Sequence, residues 1–476
     1  MAFSLFKDRE ELDLLDGPIG RNLFYLSLPI VITNLLRTMY NLADTFWLGR
    51  LSDNALAAIT FGFPLVFLLI SAGIGLAVAG SVLVAQNEGG GRKRDAEFAA
   101  SQTIGFSLLV AVLLGIIGYF IVDEIVVLLG AEPAVVDLAV NYLQVISLGL
   151  VFMFGFSVFI SLMRGYGDTV TPMTLMFFTV VLNIVLDPVL IFGWGPFPAL
   201  GITGAAVATI FCRALAMFTG FGIMLSGWKG PQIRLSDIVP QLEFVKKILR
   251  IGIPASAEST GTALSVNVLV AIVGWFATPI VAGFGIGIRI FSVVFLPADA
   301  LSRGVEAMTG QNIGAHNFDR ARRINTLAAR YAFSILAVIG AICFVFAPQI
   351  VGIFTTDQQI IGVGTSFLRF VAPTFALLGV IRAFMGGFRG VGKTMIAAVI
   401  SIAFVGLFRI PVAYIGARTI GQTGVWLAFP VSIVLGAVLA AVLFYRDDWS
   451  TALIDEEKQG QAETSEETME IDDSIQ

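Results

Sequence analysis

Residues 29–49 read PIVITNLLRTMYNLADTFWLG, a run long and apolar enough to cross a bilayer as one helix, with a single carboxylate, Asp44, inside it. A charge at bilayer depth costs roughly 2.5–3.5 kcal/mol even on the lenient insertion scale, so an intramembrane aspartate is a functional-site candidate by default. The competing reading lets Asp44 reach interfacial water, since Gly49, Arg50, Ser52 and Asp53 mark a helix end one to two turns away. The rest of the chain has the same character. Of 476 residues, 57% are hydrophobic and 13% charged, with a mean hydropathy of +0.88, against roughly 25% charged in an average soluble domain. The chain is therefore read as all-α and polytopic in the membrane. At about 20 apolar residues per span, twelve transmembrane helices are expected, at 22–49, 55–85, 97–122, 136–163, 170–193, 200–226, 248–276, 280–308, 327–347, 363–386, 395–417 and 424–445.

An internal repeat organises these spans. A shift of 225 positions pairs Pro29 with Pro254, Gly49 with Gly274, Gly62 with Gly287, Gln86 with Gln311, Asn87 with Asn312 and Gly89 with Gly314. The same shift pairs Arg164, Gly165, Gly167 and Thr169 with Arg389, Gly390, Gly392 and Thr394; a shift of 220 pairs Gly201, Thr203 and Gly204 with Gly421, Thr423 and Gly424. Six spans per half is an even number, so the halves are two parallel-repeat six-helix bundles related by an axis along the membrane normal. The expected organisation is an N-terminal segment at 1–21, one lobe at 22–226, a basic linker at 227–247, a second lobe at 248–445 and an acidic, disordered tail at 446–476.

Basic residues set the orientation, because loops on the cytoplasmic side collect them. Lys7, Arg9 and Arg21, then Arg92, Lys93 and Arg94, then Lys229, Arg234, Lys246, Lys247 and Arg250 fall on one side, followed by Arg164, Arg320, Arg322, Arg323, Arg389, Lys393 and Arg446. Both termini are expected in the cytoplasm, and the membrane is expected to be the plasma membrane.

Asp187 joins Asp44 as a second intramembrane acid. In LNIVLDPVLIF, Asn183 and Asp187 are four apart and share a helix face, and Pro188 loosens the local hydrogen-bond ladder. Asp44 and Asp187 lie at similar depth, and Thr203 and Thr209 on the sixth span bracket it. Two carboxylates, an amide and a hydroxyl suit one sodium ion, held at Asp44, Asn183 and Asp187, or a shared proton, since neighbouring acids in low dielectric resist double ionisation. Their repeat partners are Leu269 and Val412, so the pair belongs to the first half alone. Tyr40 and Asn41 lie one turn from Asp44 and line a potential ligand cavity; Arg37, two turns away, either pairs with a carboxylate or snorkels to the interface. Pro29 inside the first span breaks a hydrogen bond and can serve as a hinge. In the second half, Glu258 lies one turn after Pro254 and is a secondary coupling candidate, while Arg289, Asp299, Arg303, Glu306, Arg382 and Arg409 are read as structural pairs.

Other chemistries find little support. Cys212 and Cys343 sit in apolar runs, the single histidine, His316, falls in a polar loop, and no zinc, haem or iron–sulfur spacing exists. Residues 387–394, GFRGVGKT, match the phosphate-loop pattern, but they join two membrane helices, and the repeat has Asp168 where Lys393 stands. No clustered acids suit magnesium and diphosphate, and no soluble nucleotide domain is present. The chain is thus not expected to be an enzyme or to bind nucleic acid, and no cofactor is expected beyond a coupling cation.

LPIVITNLL and NLADTFWLG, the VAQNEGGG loop, RGYGDTVTPM, and LNIVLDP followed by ALGITGAAVAT together resemble the multidrug and toxic compound extrusion (MATE) transporters, in the prokaryotic and archaeal branch with paired acids in the N-terminal lobe. The resemblance covers roughly residues 20–446. It implies two bundles around a central cleft, alternating access, and export of amphipathic organic compounds in exchange for protons or sodium. It assigns coupling to Asp44 and Asp187, with Asn183 and one of Thr203 or Thr209 as partners, and bending to Pro29. Arg37, facing a cleft, would disfavour cationic cargo and favour anionic, zwitterionic or lipid substrates, so a flippase for a lipid or lipid-linked saccharide is the alternative. Small-molecule cargo, membrane lipids and a monomeric state complete the expectation.

Overall fold

The computed structural model describes residues 5–128 and 132–449, apart from the side chains of 61, 63 and 64. Its described residues form helices and no strand. The first lobe contains α1 (Ile19–Leu51), α2 (Asp53–Gly89), α3 (Lys93–Leu128), α4 (Pro133–Leu148), α5 (Leu150–Tyr166), α6 (Val170–Phe192) and α7 (Ile202–Ser226). The second contains α8 (Leu242–Val273), α9 (Thr278–Gly314), α10 (Phe318–Val345), α11 (Ala347–Gly352), α12 (Gln358–Val371), α13 (Phe375–Val391), α14 (Thr394–Ile402), α15 (Arg409–Thr419) and α16 (Gln422–Arg446). Among the described residues eleven stretches are long and apolar enough to cross a membrane, and α4 with α5, bent by 53°, makes a twelfth.

That bend is a departure from the continuous fourth span read in the sequence. It falls at Gly149, a poor helix former, against which the Ile210 side chain is pressed. The repeat is broken at the matching place, where Ala372–Thr374 form a 3₁₀ turn containing Pro373. Other repeat positions keep their backbone as well. Gly167 and Gly392 both end helices in the left-handed conformation, with φ of 99° and 94°, which glycine adopts without a Cβ penalty. In the eleventh span a π turn over Ala403–Phe408 precedes Pro411, whose missing amide and ring disturb the turn before it.

The loop equivalents Asp168 and Lys393 have become different devices. Asp168 Oδ1 accepts from the amides of Val170 and Thr171 at 3.0 and 2.9 Å and so caps α6. Lys393 Nζ donates to Asp447 Oδ2 at 2.8 Å, so the GKT segment is a helix-ending turn tied to the chain's C-terminal part. The same contact corrects the boundary of the expected tail. Trp449 is fully buried, its ring in contact with those of Phe388 and Phe444, so the chain is packed to at least that residue. Residues 450–476, also expected to be disordered, lie outside the described residues. The linker is likewise shorter than expected, as α8 begins at Leu242.

The lobes are joined in one half of the bundle and separate in the other. α2 packs against α8 and α9, and α1 against α9. Near the termini the apolar clusters cross between lobes: Leu12, Leu14, Leu23 and Leu26 pack with Met308 and Phe388, while Ile248, Ile251 and Ala255 pack with Val82 and Met163. In the far half each cluster belongs to one lobe. The terminal side is sealed by three hydrogen bonds from two repeat-equivalent glutamines: Gln86 Nε2 donates to the Gly390 carbonyl at 2.8 Å, and Gln311 Nε2 to those of Gly165 and Tyr166 at 3.0 Å. Gly89 lies against the Gln311 backbone and Gly314 against that of Gln86, too close for any Cβ. The N-terminal segment straps this seal. Arg9 donates to the Tyr166 carbonyl at 2.9 Å in one lobe, and Asn312 of the other donates to that of Leu14 at 3.1 Å.

Candidate functional site

α1 and α6 pack side by side and bring Asp44 next to Asp187 and Asn183. Asp187 and Asn183 are fully buried and Asp44 is 4% exposed, so these are interior groups and Asp44 does not reach open interfacial water. Asn183 Nδ2 donates to Asp187 Oδ1 at 2.9 Å, a bond within one helix face of the i, i+4 kind. That amide's own oxygen, the other oxygen of Asp187 and Asp44 Oδ1 are buried without a hydrogen-bond partner. Tyr40 Oη and Thr209 Oγ1, which face one another, are in the same condition. Of these five buried oxygens on α1, α6 and α7, the two hydroxyls carry their own protons and can serve one another, while those of Asn183 and of the ionised Asp44 and Asp187 can only accept. Leaving such groups unmet is costly, and an all-oxygen set suits a hard cation or shared protons. Among the described residues no three His, Cys, Asp or Glu side chains form a metal cluster.

The two threonines read in the sequence occupy different places. Thr209 is buried and lines the central cavity; Thr203 is half-buried in the first turn of α7. Pro29 is buried inside α1, and the Thr33 hydroxyl donates to its carbonyl at 2.8 Å.

The cavity next to this cluster holds about 400 Å³ and is lined from both lobes. Arg37, Tyr40, Asn41 and Asp44 of α1 all line it. So do residues that sequence reading had placed elsewhere: Arg164 of α5, assigned to the basic face, and Asp299 and Arg303 of α9, assigned to structural pairs. Arg213 of α7 was missed. Its signal was available, since it lies four residues after Thr209 within an apolar helix, the same position-based warning that singled out Arg37. Its guanidinium sits over the Tyr40 ring at 4.6 Å and the Phe156 ring at 5.6 Å.

Below the cavity the second lobe carries a charge network. Arg389 holds Glu258 with two hydrogen bonds, at 2.6 and 3.2 Å, and Arg382 approaches Glu258 at 3.8 Å. Arg303 pairs with Glu306 at 3.0 Å. Arg409 has no acidic partner among the described residues; it donates to Ser432 at 3.0 Å and lies over the Phe429 ring at 4.4 Å.

The MatE family model matches residues 29–189 and 254–415, two blocks that begin on the repeat-equivalent prolines. The chain is 28% identical over 428 residues to the probable multidrug resistance protein YoeA of Bacillus subtilis, covering 88% of this chain and 92% of that one. It is 28% identical over 440 residues to the FAD transporter of Shewanella oneidensis, covering 92% and 97%. Among solved structures, it matches a MOP superfamily transporter from Pyrococcus furiosus whose binding pocket is described as of reverse polarity, with a TM-score of 0.85 and 26% identity over 92% of this chain and 98% of that one.

Proposed function

The chain belongs to the MatE family of multi-pass membrane transporters, and on that premise we propose that it is a secondary active antiporter that exports amphipathic organic compounds in exchange for protons or sodium. The observation that carries this reading is the set of three buried acceptor oxygens without a donor, on Asp44, Asp187 and Asn183, beside a cavity lined by both lobes. A cation held there offsets the charge shared by the two carboxylates; its loss leaves α1 and α6 with facing charges that only a rearrangement or a new cation relieves. Because Asp44 shares α1 with Pro29, that relief is transmitted as a bend of α1 at the proline, which reshapes the cavity wall carrying Arg37 and Tyr40. A gradient suffices to drive the cycle, at about 2.3 kcal/mol per charge for each 100 mV.

With both termini in the cytoplasm of a cell whose plasma membrane holds the protein, the seal at the terminal side makes this the outward-open state. The working unit is a monomer in contact with membrane lipids. Glu258, held by Arg389 and Arg382, is a second coupling group only if that network opens during the cycle. Flipping of a lipid or lipid-linked saccharide is the second reading, favoured by the arginines in the cavity.

The test is dye movement in proteoliposomes with a proton or a sodium gradient imposed separately. Uphill movement that follows one ion and disappears in both Asp44→Asn and Asp187→Asn supports coupling at this site. Full uphill movement in both folded variants would refute it.

A further inference from the structure

Charge does not balance around the cavity. In the second lobe, Arg303, Arg382 and Arg389 face Glu258, Asp299 and Glu306, three against three. In the first lobe, Arg37, Arg164 and Arg213 stand against Asp44 and Asp187, which are engaged with one another and with Asn183, and beyond these only share Asp299 and Glu306 with the second lobe's own arginines, so that six arginines meet five acids. Among the described residues, none of these three arginines makes a salt bridge with an acid. They come from three helices, α1, α5 and α7, onto one cavity of about 400 Å³, where Arg37 lies within electrostatic reach of Arg213 and Arg164 and only Asp299 of the second lobe, with Glu306 for Arg164, offsets the repulsion. When a cation occupies the Asp44 cluster, the excess of positive charge grows further.

Like charges gathered on a shared wall are stable only with a counter-charge, and guanidinium groups match one kind of counter-charge best, the planar or tetrahedral oxyanion that accepts two parallel N–H bonds. Arg213 has donors to spare for that task. Its guanidinium carbon lies 4.6 and 5.6 Å from the centres of the Tyr40 and Phe156 rings, and among the described residues its only hydrogen-bond acceptor is the Met176 sulfur at 3.6 Å, a weak acceptor. The lining also includes the apolar side chains of Ile74, Ile146 and Met153. We infer that this cavity takes an organic anion, a phosphate or carboxylate head on an apolar or aromatic body, with the head on Arg37, Arg164 and Arg213. The inference deepens the transporter reading by naming the charge of its cargo.

Fluorescence anisotropy on the purified full-length chain in neutral detergent tests it, using two xanthene dyes of opposite charge: carboxyfluorescein, an anion, and tetramethylrhodamine methyl ester, a cation. Saturable binding of the anion is expected, weakened about tenfold by Arg37→Gln and by Arg164→Gln. Arg37→Lys, which keeps the charge but loses the fork, is expected to fall between. Gel filtration and a thermal melt show that each variant is folded, and added salt weakens anion binding in the wild type regardless of any variant. Displacement of the dye by short-chain phosphatidylglycerol but not phosphatidylcholine would place the anion on a lipid, and displacement by phenyl phosphate on a soluble compound; both support the site. Equal or tighter binding of the cation, or unchanged anion affinity in folded Gln variants, overturns it. Anion binding without any ion-coupled movement in proteoliposomes would uphold the site and remove the antiport reading, whereas ion-coupled movement of the cation without anion binding would remove the site and uphold antiport.

Discussion

Replacing Gln311 with alanine should loosen the seal on the terminal side without unfolding either lobe. Its side-chain amide donates two hydrogen bonds across the lobe boundary, to the carbonyls of Gly165 and Tyr166, both at 3.0 Å. Each is worth about 0.5–1.5 kcal/mol net, so the variant forfeits about 1–3 kcal/mol, which corresponds to roughly 5- to 150-fold in an equilibrium constant. The loss falls on one state alone, because a lobe that has swung away leaves the same carbonyls to water. Gln86→Ala should do the same by a smaller amount, since it gives up one bond, to Gly390 at 2.8 Å. Spin labels at Lys93→Cys and Asp319→Cys, exposed at the starts of α3 and α10, report the gap by pulsed dipolar spectroscopy, in a background where the buried Cys212 and Cys343 are replaced. A longer-distance population should grow in Gln311→Ala and grow more in the double variant. An unchanged distance distribution in both, with folded protein, would show that the amides do not hold the lobes together.

Arg389→Ala should lower the thermal unfolding midpoint markedly, because it leaves Glu258 buried with only Arg382 nearby at 3.8 Å; removing one partner of a buried pair costs about 3–5 kcal/mol, and a melt within error of wild type would contradict the pairing. Thr209→Val should raise the cation concentration needed for half-maximal ion-driven movement by about tenfold, as expected for one lost oxygen ligand to a charged group, and by more than Thr203→Val does. Proteoliposome assays over a range of cation concentrations decide between them, and a larger effect at Thr203 would move the ligand set toward the start of α7.

Much of the fold was legible because the bilayer imposes a length and a composition on each span. Hydropathy alone marks the spans, and the 225-residue shift predicts paired backbone features such as the left-handed Gly167 and Gly392. The acids Asp44 and Asp187 also stood out, since a carboxylate in an apolar run has few explanations. The breaks at Gly149 and Ala372–Thr374 were not legible, because a hydropathy window averages over a single residue of poor helix propensity. The docking of Trp449 was hidden by the polar residues around it.

What a residue faces is a different matter. In lipid, the surroundings of a helix are as apolar as its neighbours, so the hydrophobic pattern does not set its rotation; packing does. That is why Arg164 read as one more basic residue near a loop and Arg213 escaped notice, although both line the cavity with Arg37. The same limit left Thr203 and Thr209 equal in the sequence, until the rotation of α7 put one beside Tyr40 and the other at the helix start. Sequence by itself determined the number of spans, the repeat and the presence of two costly acids, since each follows from local chemistry along the chain. Only the tertiary structure decided which charges meet, because that depends on how three helices are turned toward a common space.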